Sequence, residues 1–452
     1  MRLAECHNSD LIIIGGGASG LAAACVAVRN GLRVTILEAR DRIGRKLLAT
    51  GNGRCNLLNL GPPVYFGDTG FAGLVLRACP AEEVLSFFDS LGLLTAQEEN
   101  NLVYPASNQA STVLDVLRLP LENDPRCLIV CGARVNGLAR GTEVNGAAPL
   151  FSALTASGES YSAPCVLVAS GSPAQPQLSG SDDMYPLLQK LGHRVVTPRP
   201  ALTGLVTDPQ AVRGLKGLRL PAIATLCADG RPLCRTQGEV LFAQDGISGV
   251  CIMQLSRDAG KALAEKRQPV VFLDFSPLLG LTPRLMERGQ PADPDVNGSA
   301  ILDFLKLRAS RLTREASIFG ALPRLLALRL KDLPLEQLAD QLSAYPLPVR
   351  ALRGFEHAQV AAGGIDTRDV APGTLASRLV PGLYFAGEVL NVDGDCGGYN
   401  LLFAWATGIL ASRAAADCAA GHVRPGSGQP DKSRPSFSGR RDSGNDKPQS
   451  TN

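Results

Sequence analysis

Histidine is scarce in this chain, and its positive and negative charges nearly cancel. Only four histidines occur in 452 residues, His7, His193, His357 and His422, and none lies near another. No Cys/His cluster has zinc spacing, so no structural metal is expected. The formal net charge is +3, too small to argue for a nucleic-acid or acidic-membrane partner. No C-x-x-C occurs, which excludes a dithiol redox centre of that type. The twelve cysteines are scattered with no secretory signal ahead of them, so reduced thiols and a cytoplasmic location are expected. Residues 11–28 are the nearest approach to a signal peptide or membrane span. Three consecutive glycines interrupt that run, and no small-residue cleavage site stands out. What remains is a globular composition, 45% hydrophobic and 19% charged. The length exceeds one small core and implies about two or three domains.

The first block of chemistry lies near the N-terminus. Asp10 to Ile14 reads as a buried parallel strand and is followed by Gly15-Gly16-Gly17-Ala18-Ser19-Gly20. In this pattern Gly15 permits the tight turn, Gly17 lets a pyrophosphate approach the backbone, and Gly20 lets the helix pack close to the strand. The helix start aims free N–H groups at phosphate. Leu21 to Arg29 supplies that helix, Asn30-Gly31 ends it, and Arg33 to Leu37 makes the next strand. Glu38 follows Gly20 by eighteen residues, close to the spacing of a ribose-binding acid. A carboxylate there accepts from a 2′-hydroxyl and repels a 2′-phosphate, which disfavours NADP at this site. FAD and NAD both remain open on this motif.

A second block runs Gly382-Leu383-Tyr384-Phe385-Ala386-Gly387-Glu388, then Asp393-Gly394-Asp395-Cys396-Gly397-Gly398-Tyr399-Asn400. Leu383 to Ala386 reads as a strand and Leu401 to Ala415 as a helix. Gly397-Gly398 would then sit at a helix N-terminus, where the dipole favours negative charge. A reduced flavin carries such charge near N1 and O2, whereas an NAD dehydrogenase has no evident need of this second half-site. A third block, Thr50 to Asn56 after Gly44-Arg45-Lys46, suits a loop wrapped on a phosphate or a flavin ring. Arg54 could pair with the pyrophosphate, and Cys55 has two readings, a contact at the flavin edge or, as the preferred one for its sulfur, a small buried residue. A fourth block, Gly238 to Gly249, is either a roof over substrate or a hairpin turn.

The intervening sequence suggests a discontinuous α/β domain. Residues 72–120 look mainly helical, with Leu85, Phe88, Leu91 and Leu94 on one face. Leu128 to Val135 reads as one strand, Asn136 to Ala163 as a small meander, and Cys165 to Ala169 as a strand ending in Ser170-Gly171-Ser172. Short β-like runs at Leu202–Val206, Ala222–Cys227, Val240–Ala243 and Val270–Phe275 suggest a separate β domain. Residues 299–352 turn helical, with Leu302, Leu305, Leu325, Leu328, Leu338 and Leu342 as core. Arg308, Arg311 and Arg314 read as a solvated face. No internal repeat is present. The expected plan is residues 1–194 with 357–420 as the nucleotide-binding domain, 195–356 as an insert, and a disordered tail from about Gly421.

Taken together, TGNGRCN at 50–56, NLVYPAS at 101–107, GEVLFAQDGISG at 238–249 and GLYFAGEVLNVDGDCGGYN at 382–400 resemble the BaiN/RdsA-type flavoproteins. These are described as NAD(P)/FAD-dependent oxidoreductases or aminoacetone-oxidase-family FAD-binding enzymes. The resemblance covers about residues 10–415, with the motifs in the same order. It implies FAD, a two-lobed Rossmann-like fold and an inserted β-barrel plus helical domain. It also implies a cofactor lining of Gly15, Gly17, Ser19, Gly20, Glu38, Lys46, Arg54, Cys55, Asn56, Val135, Gly387, Glu388, Gly398, Tyr399, Asn400 and Leu401. Their neighbours Ala18, Ala39 and Gly53 complete the candidate site. One branch resembles reductases of unsaturated oxo-steroids such as bile acids, a property that no motif transfers.

Two departures from the family pattern stand out. Ala169-Ser170-Gly171-Ser172 replaces the usual Ala-Thr-Gly-Gly, which puts a side chain where close packing is expected. Ala243-Gln244 replaces a Thr-His pair, and Val250 a proline, so any acid role for that histidine is lost. No nucleophile–base pair is visible, and no catalytic residue is assigned. Tyr399, Asp393 and Asp395 are the nearest proton-transfer candidates. The expectation is an FAD-dependent oxidoreductase working between a nicotinamide donor, NAD(P)H, and a small apolar molecule. Its rivals are a flavin-free NAD dehydrogenase and a flavin-binding sensor.

Overall fold

The computed structural model describes residues 7–142, 149–281 and 298–422. The expected tail therefore lies, beyond His422, outside the described residues. Strand β1 (Leu11–Ile14) is fully apolar and buried along its length. It pairs in parallel with β2 (Val34–Glu38) on one side and with Cys165–Val168 on the other. Cys127–Cys131 and Leu383–Phe385 close the two edges of this five-stranded parallel sheet. Continuous apolar runs are what a sheet covered on both faces requires. Helix α1 (Ala18–Arg29) covers one face, ends at Asn30, and is followed by Gly31 at φ +87°. The C-terminal helix Tyr399–His422 packs against α1, and Ser412 Oγ donates to the Ala23 carbonyl at 2.8 Å.

The expected strand Leu128–Val135 is two strands. Cys127–Cys131 ends at Gly132, whose φ of +75° turns the chain, and Val135–Arg140 starts a separate, mainly antiparallel sheet. That sheet holds Phe151–Thr155 and Ser160–Ala163, as the meander reading anticipated. The helical stretch after residue 69 is interrupted by Thr95–Gln97 and Leu102–Pro105, which pair with each other. Leu94 is accordingly 75% exposed, although Phe88 is buried.

The insert is a closed six-stranded antiparallel barrel. Its strands run Leu205–Thr207, Gly246–Ser248, Arg231–Phe242, Arg219–Ala228, Pro269–Asp274 and Tyr345–Leu352, the last pairing back to the first. Four short helices between Gly298 and Ser343 interrupt the chain before the final strand. Barrel and helices share one hydrophobic core, distinct from the core of the parallel sheet. In the third of these helices, Arg324–Leu330, the buried residues are Leu326, Ala327 and Leu330. Leu325 and Leu328 are exposed, so the expected stripe is out of register by one residue. The arginines at 308, 311 and 314 do not share a helix face, because the first of these helices ends at Ala309. Arg308 instead donates to the Ser317 carbonyl at 3.0 Å and Arg314 to that of Lys331 at 3.0 Å. The chain enters and leaves the insert through the antiparallel pair Val195–Ala201 and Val360–Ile365.

Candidate functional site

The C-terminal ends of β1 and β2 open into a cleft. Ile14 to Ser19, Leu37 to Ala39, Arg42, Gly44 to Leu47 and Thr50 form one wall. Ala133 to Val135, Ala169 to Gly171, Ser179, Ser181, Asp183 and Met184 form another. Glu388, Asn400, Leu401 and Ala404 close its far end. A ligand site at the carboxyl ends of parallel strands is where this topology places one.

Three glycines shape the turn in three ways. Gly15 sits at φ +110°, and a Cβ there would lie 2.4 Å from the Ala169 carbonyl oxygen. Gly20 abuts the Gly15 carbonyl oxygen, 2.0 Å from where its Cβ would be, so it is a helix–strand packing residue and does not line the cleft. Gly17 differs from both: a Cβ there meets nothing within 4 Å. It forms the cleft floor at the N-terminus of α1, whose first intrahelical bond runs from Leu21 N to Gly17 O.

Glu38 is 8% exposed. Its Oε2 accepts from Gly16 N and its Oε1 from Arg40 N, each at 2.8 Å. The carboxylate is thus fixed by the turn it faces, and each oxygen keeps a second lone pair for a hydroxyl donor. We expect Glu38→Ala to weaken FAD binding about tenfold or more, since a charge-assisted hydrogen bond is worth about 1.5–3 kcal/mol. Fluorescence titration of apoprotein with FAD measures this. An unchanged affinity would remove the ribose assignment.

Lys46 reaches across the cleft to Glu388 at 2.7 Å. Ser172 Oγ donates to the same Glu388 oxygen at 3.0 Å. The extra side chain at position 172 is therefore accommodated: Ser172 is 2% exposed and hydrogen-bonded, and no packing is lost. Gly387, at φ +74°, packs on the Ser19 hydroxyl and donates its N–H to Thr407 Oγ1 at 2.9 Å. It supports α1 and does not line the cleft.

The loop Thr50–Asn56 is tightly wound. Gly51, Asn52, Gly53 and Cys55 all have positive φ. Arg54 is engaged on the outer side by Glu98 and by Asn108 at 2.7 Å, and its guanidinium lies 4.1 Å from the centre of the Tyr104 ring. The structure thus directs this cation to protein partners. Cys55 is fully buried, and burial pushes its thiol up to about 12. A buried, protonated thiol fits the reading of Cys55 as a packing residue.

The segment after Glu388 approaches this loop. Val392–Gly394 pairs with Tyr65–Gly67, and Asn59 Nδ2 donates to the Gly397 carbonyl at 2.9 Å. Leu402 N makes the first bond of the C-terminal helix, to Gly398 O, so the N–H groups of residues 399–401 precede that ladder. A Cβ on Gly398 would lie 2.7 Å from the Leu58 carbonyl carbon and 2.9 Å from Asn56 Oδ1. Among the described residues, that buried Asn56 oxygen has no hydrogen-bond partner. Tyr399 is buried, with its ring edge-on to Tyr65 at 6.0 Å. Neither Tyr399 nor Gly398, Asn56, Cys55, Arg54 or Gly53 borders the cleft itself.

Two of the proton-transfer candidates are committed elsewhere. Asp393 is buried and paired with Arg257 at 2.9 Å. Asp395 Oδ2 accepts from Gln254 Nε2 at 3.0 Å. Gln254 and Arg257 lie on Val250–Ala264, a helix of the barrel lobe capped by Gly249. The block Gly238–Gly249 is accordingly a strand, a turn and a short barrel strand ahead of that helix, which decides for the hairpin reading. Sequence reasoning missed Gln254 and Arg257 because their partners lie 141 and 136 residues away. It also missed Arg42, Arg134, Ser181, Asp183 and Met184, which border the cleft from segments without a motif.

The arrangement fits FAD. The bare floor at Gly17 suits a pyrophosphate and Glu38 suits a ribose. A parallel sheet with this cleft, joined to a barrel lobe, defines a two-lobed FAD-dependent oxidoreductase. The model of the HI0933-like protein Rossmann domain matches residues 9–414, and the chain belongs to that family. It is 37% identical over 417 residues to the 3-dehydro-bile acid delta(4,6)-reductase of Clostridium scindens, covering 90% of this chain and 98% of that protein. It is 25% identical over 407 residues to the ribosomal RNA dihydrouridine synthase of Escherichia coli, covering 88% and 96%. A stretch of 63 residues is 42% identical to human amine oxidase [flavin-containing] B, 14% of this chain and 12% of that one. Among the described residues, no helix is long and apolar enough to cross a membrane.

Proposed function

We propose that this enzyme takes hydride from a nicotinamide donor and delivers it to a carbon–carbon double bond conjugated to a carbonyl, with a proton from solvent completing the saturation, in a flat apolar molecule of the oxo-steroid kind. The observation that carries the substrate class is the 37% identity to a bile-acid reductase along 98% of its length. Bound FAD supplies the ring that accepts and donates hydride. The chain's own residues do the rest. Glu38 binds the ribose, and the start of α1 at Gly17 receives the pyrophosphate. Lys46, Glu388 and Ser172 tie the two walls of the cleft together. The start of the C-terminal helix favours negative charge on the flavin side of Asn400 and Leu401. We take Gly53, Arg54, Cys55, Asn56, Gly398 and Tyr399 as the shell behind that end. The reading includes lobe boundaries at 1–194 with 357–420 and at 195–356, supported by the separate cores. It also includes a cytoplasmic setting, supported by free thiols at every described cysteine.

The relative in Escherichia coli favours one second reading, a uridine in RNA as the acceptor. Both relatives' names describe saturation of a carbon–carbon double bond, so the two readings share their chemistry and differ in what carries the bond. The test reduces the FAD-loaded enzyme under anaerobic conditions with NADH or NADPH, then adds a 3-oxo-4-ene steroid acid or a ribosomal RNA fragment. Reoxidation of the flavin by the steroid is the expected result. Reoxidation by RNA alone would select the second reading, and reoxidation by neither would discard both acceptors.

A further inference from the structure

Beyond the cleft, one set of contacts between the lobes converges on a single segment. The helix Val250–Ala264 of the barrel lobe presents Gln254 and Arg257, three residues apart and so on one face. Each takes one carboxylate of the Asp393-Gly394-Asp395 run. Arg257 Nε meets both oxygens of Asp393, at 2.9 and 3.3 Å, and its guanidinium lies 5.2 Å from the centre of the Phe66 ring. Gln254 Nε2 meets Asp395 Oδ2 at 3.0 Å. From there the contacts pass directly into the cleft wall. Asn400 Oδ1 accepts from Gly394 N at 2.7 Å, and Asn400 Nδ2 donates to the carbonyls of Gly394 and Asp395 at 2.8 and 3.3 Å. Asn400 borders the cleft at the start of the C-terminal helix.

We propose that Arg257 and Gln254 are positioning residues by which the barrel lobe sets the placement of the C-terminal helix start against the flavin. This rests on the flavin reading above. The consequence is that whatever settles the barrel lobe, including a substrate held between the lobes, is felt at the flavin through Asp393, Asp395 and Asn400. A lobe docked only through its covalent connections would need neither a buried ion pair nor an amide clamp on this particular segment. Breaking one side of a buried pair leaves an uncompensated charge, a large effect.

The charge environment of Asp393 gives the test its sign. Burial holds its carboxyl above the ordinary range, Arg257 pulls it back, and Asp258 on the same barrel helix pushes it further up. With Arg257 gone, the neutral acid is the form the folded protein tolerates. That form is present at low pH and is lost as pH rises through the raised value. An Arg257→Met variant is therefore expected to fall short of wild type by about tenfold or more in kcat/KM at pH 8, and to recover towards pH 6. Its bound-flavin midpoint potential is expected to shift with pH differently from wild type. The double variant Arg257→Met/Asp393→Asn removes the buried charge and is expected to lose that pH dependence and regain most of the activity. FAD-loaded protein is used throughout, with flavin content measured separately. A potential and pH profile identical to wild type in Arg257→Met would overturn the proposal while leaving the flavin reading intact. A double variant that keeps its flavin yet is inactive at every pH would also overturn it, by making Asp393 a participant in the chemistry. Failure of wild-type protein to retain FAD would instead overturn the flavin reading itself.

Discussion

A Gly17→Val chain is expected to fold with near-native thermal stability and yet to retain less than about one-tenth of the wild-type FAD, a loss of at least about 1.4 kcal/mol in binding. The fold survives because the position tolerates a side chain. Its φ is −87°, ordinary for any residue, and a Cβ there has no neighbour within 4 Å. Replacing glycine where the conformation is compatible even reduces the entropy of the unfolded chain. The binding is lost because that open space is the cleft floor, at the point where α1 presents its free N–H groups. Gly20→Val is the contrasting control. Its Cβ would lie 2.0 Å from the Gly15 carbonyl oxygen, so that variant is expected to fail in folding itself. Thermal melting and flavin content of the two purified proteins measure the difference. Full flavin content in Gly17→Val would move the pyrophosphate elsewhere.

These glycines show which parts of the site a sequence exposes. Gly15, Gly17 and Gly20 are legible because each answers a local backbone demand at a fixed offset from a strand. Glu38 is legible because strand length and helix length set its spacing. Glycine spacing also located the approach at Gly398, though with a different cause. A neighbour it must admit is the chain at Leu58. The glycine-rich surroundings of Arg54 permit a phosphate pairing. Nothing local signalled that Glu98 and Asn108 would fold back onto it. In sequence Ser172 looks like an intruder because its acceptor, Glu388, lies 216 residues away. The barrel itself was only half visible. Gly246–Ser248 is three residues long, and the final strand Tyr345–Leu352 follows a helical run that hides its link to the others. Long, two-sided apolar strands announce themselves, whereas short strands that exist through pairing do not.

Gly398→Val is expected to have the other large effect, and it acts at the opposite end of the proposed cofactor site. Position 398 has φ +95°, which a β-branched residue adopts only under strain. Its Cβ would press on the backbone at Leu58, 2.7 Å from the carbonyl carbon, and on Asn56 Oδ1 at 2.9 Å. The Asn56 amide can swing aside, but the backbone at Leu58 cannot yield cheaply. Leu58–Asn59 pairs with Leu102–Pro105, and the Leu57 carbonyl accepts from the buried Trp405 indole at 2.9 Å. The start of the C-terminal helix must therefore move away from the Thr50–Asn56 loop, carrying Asn400 and Leu401 out of the cleft wall. We expect purified Gly398→Val protein to hold less than about one-tenth of the wild-type flavin and to melt at a lower temperature. A milder Gly398→Ala variant is expected to keep part of its flavin and to show a more negative midpoint potential. A helix terminus stabilises adjacent negative charge by about 0.3–1 kcal/mol when exposed and up to about 2 kcal/mol when partly buried. With FAD bound there, displacing the terminus would remove support from the reduced, anionic ring and leave the oxidised ring nearly untouched. Redox titration of Gly398→Ala against wild type reads this directly. An unchanged midpoint at normal occupancy would detach the C-terminal helix from the flavin, and with it the second half of the proposed cofactor site.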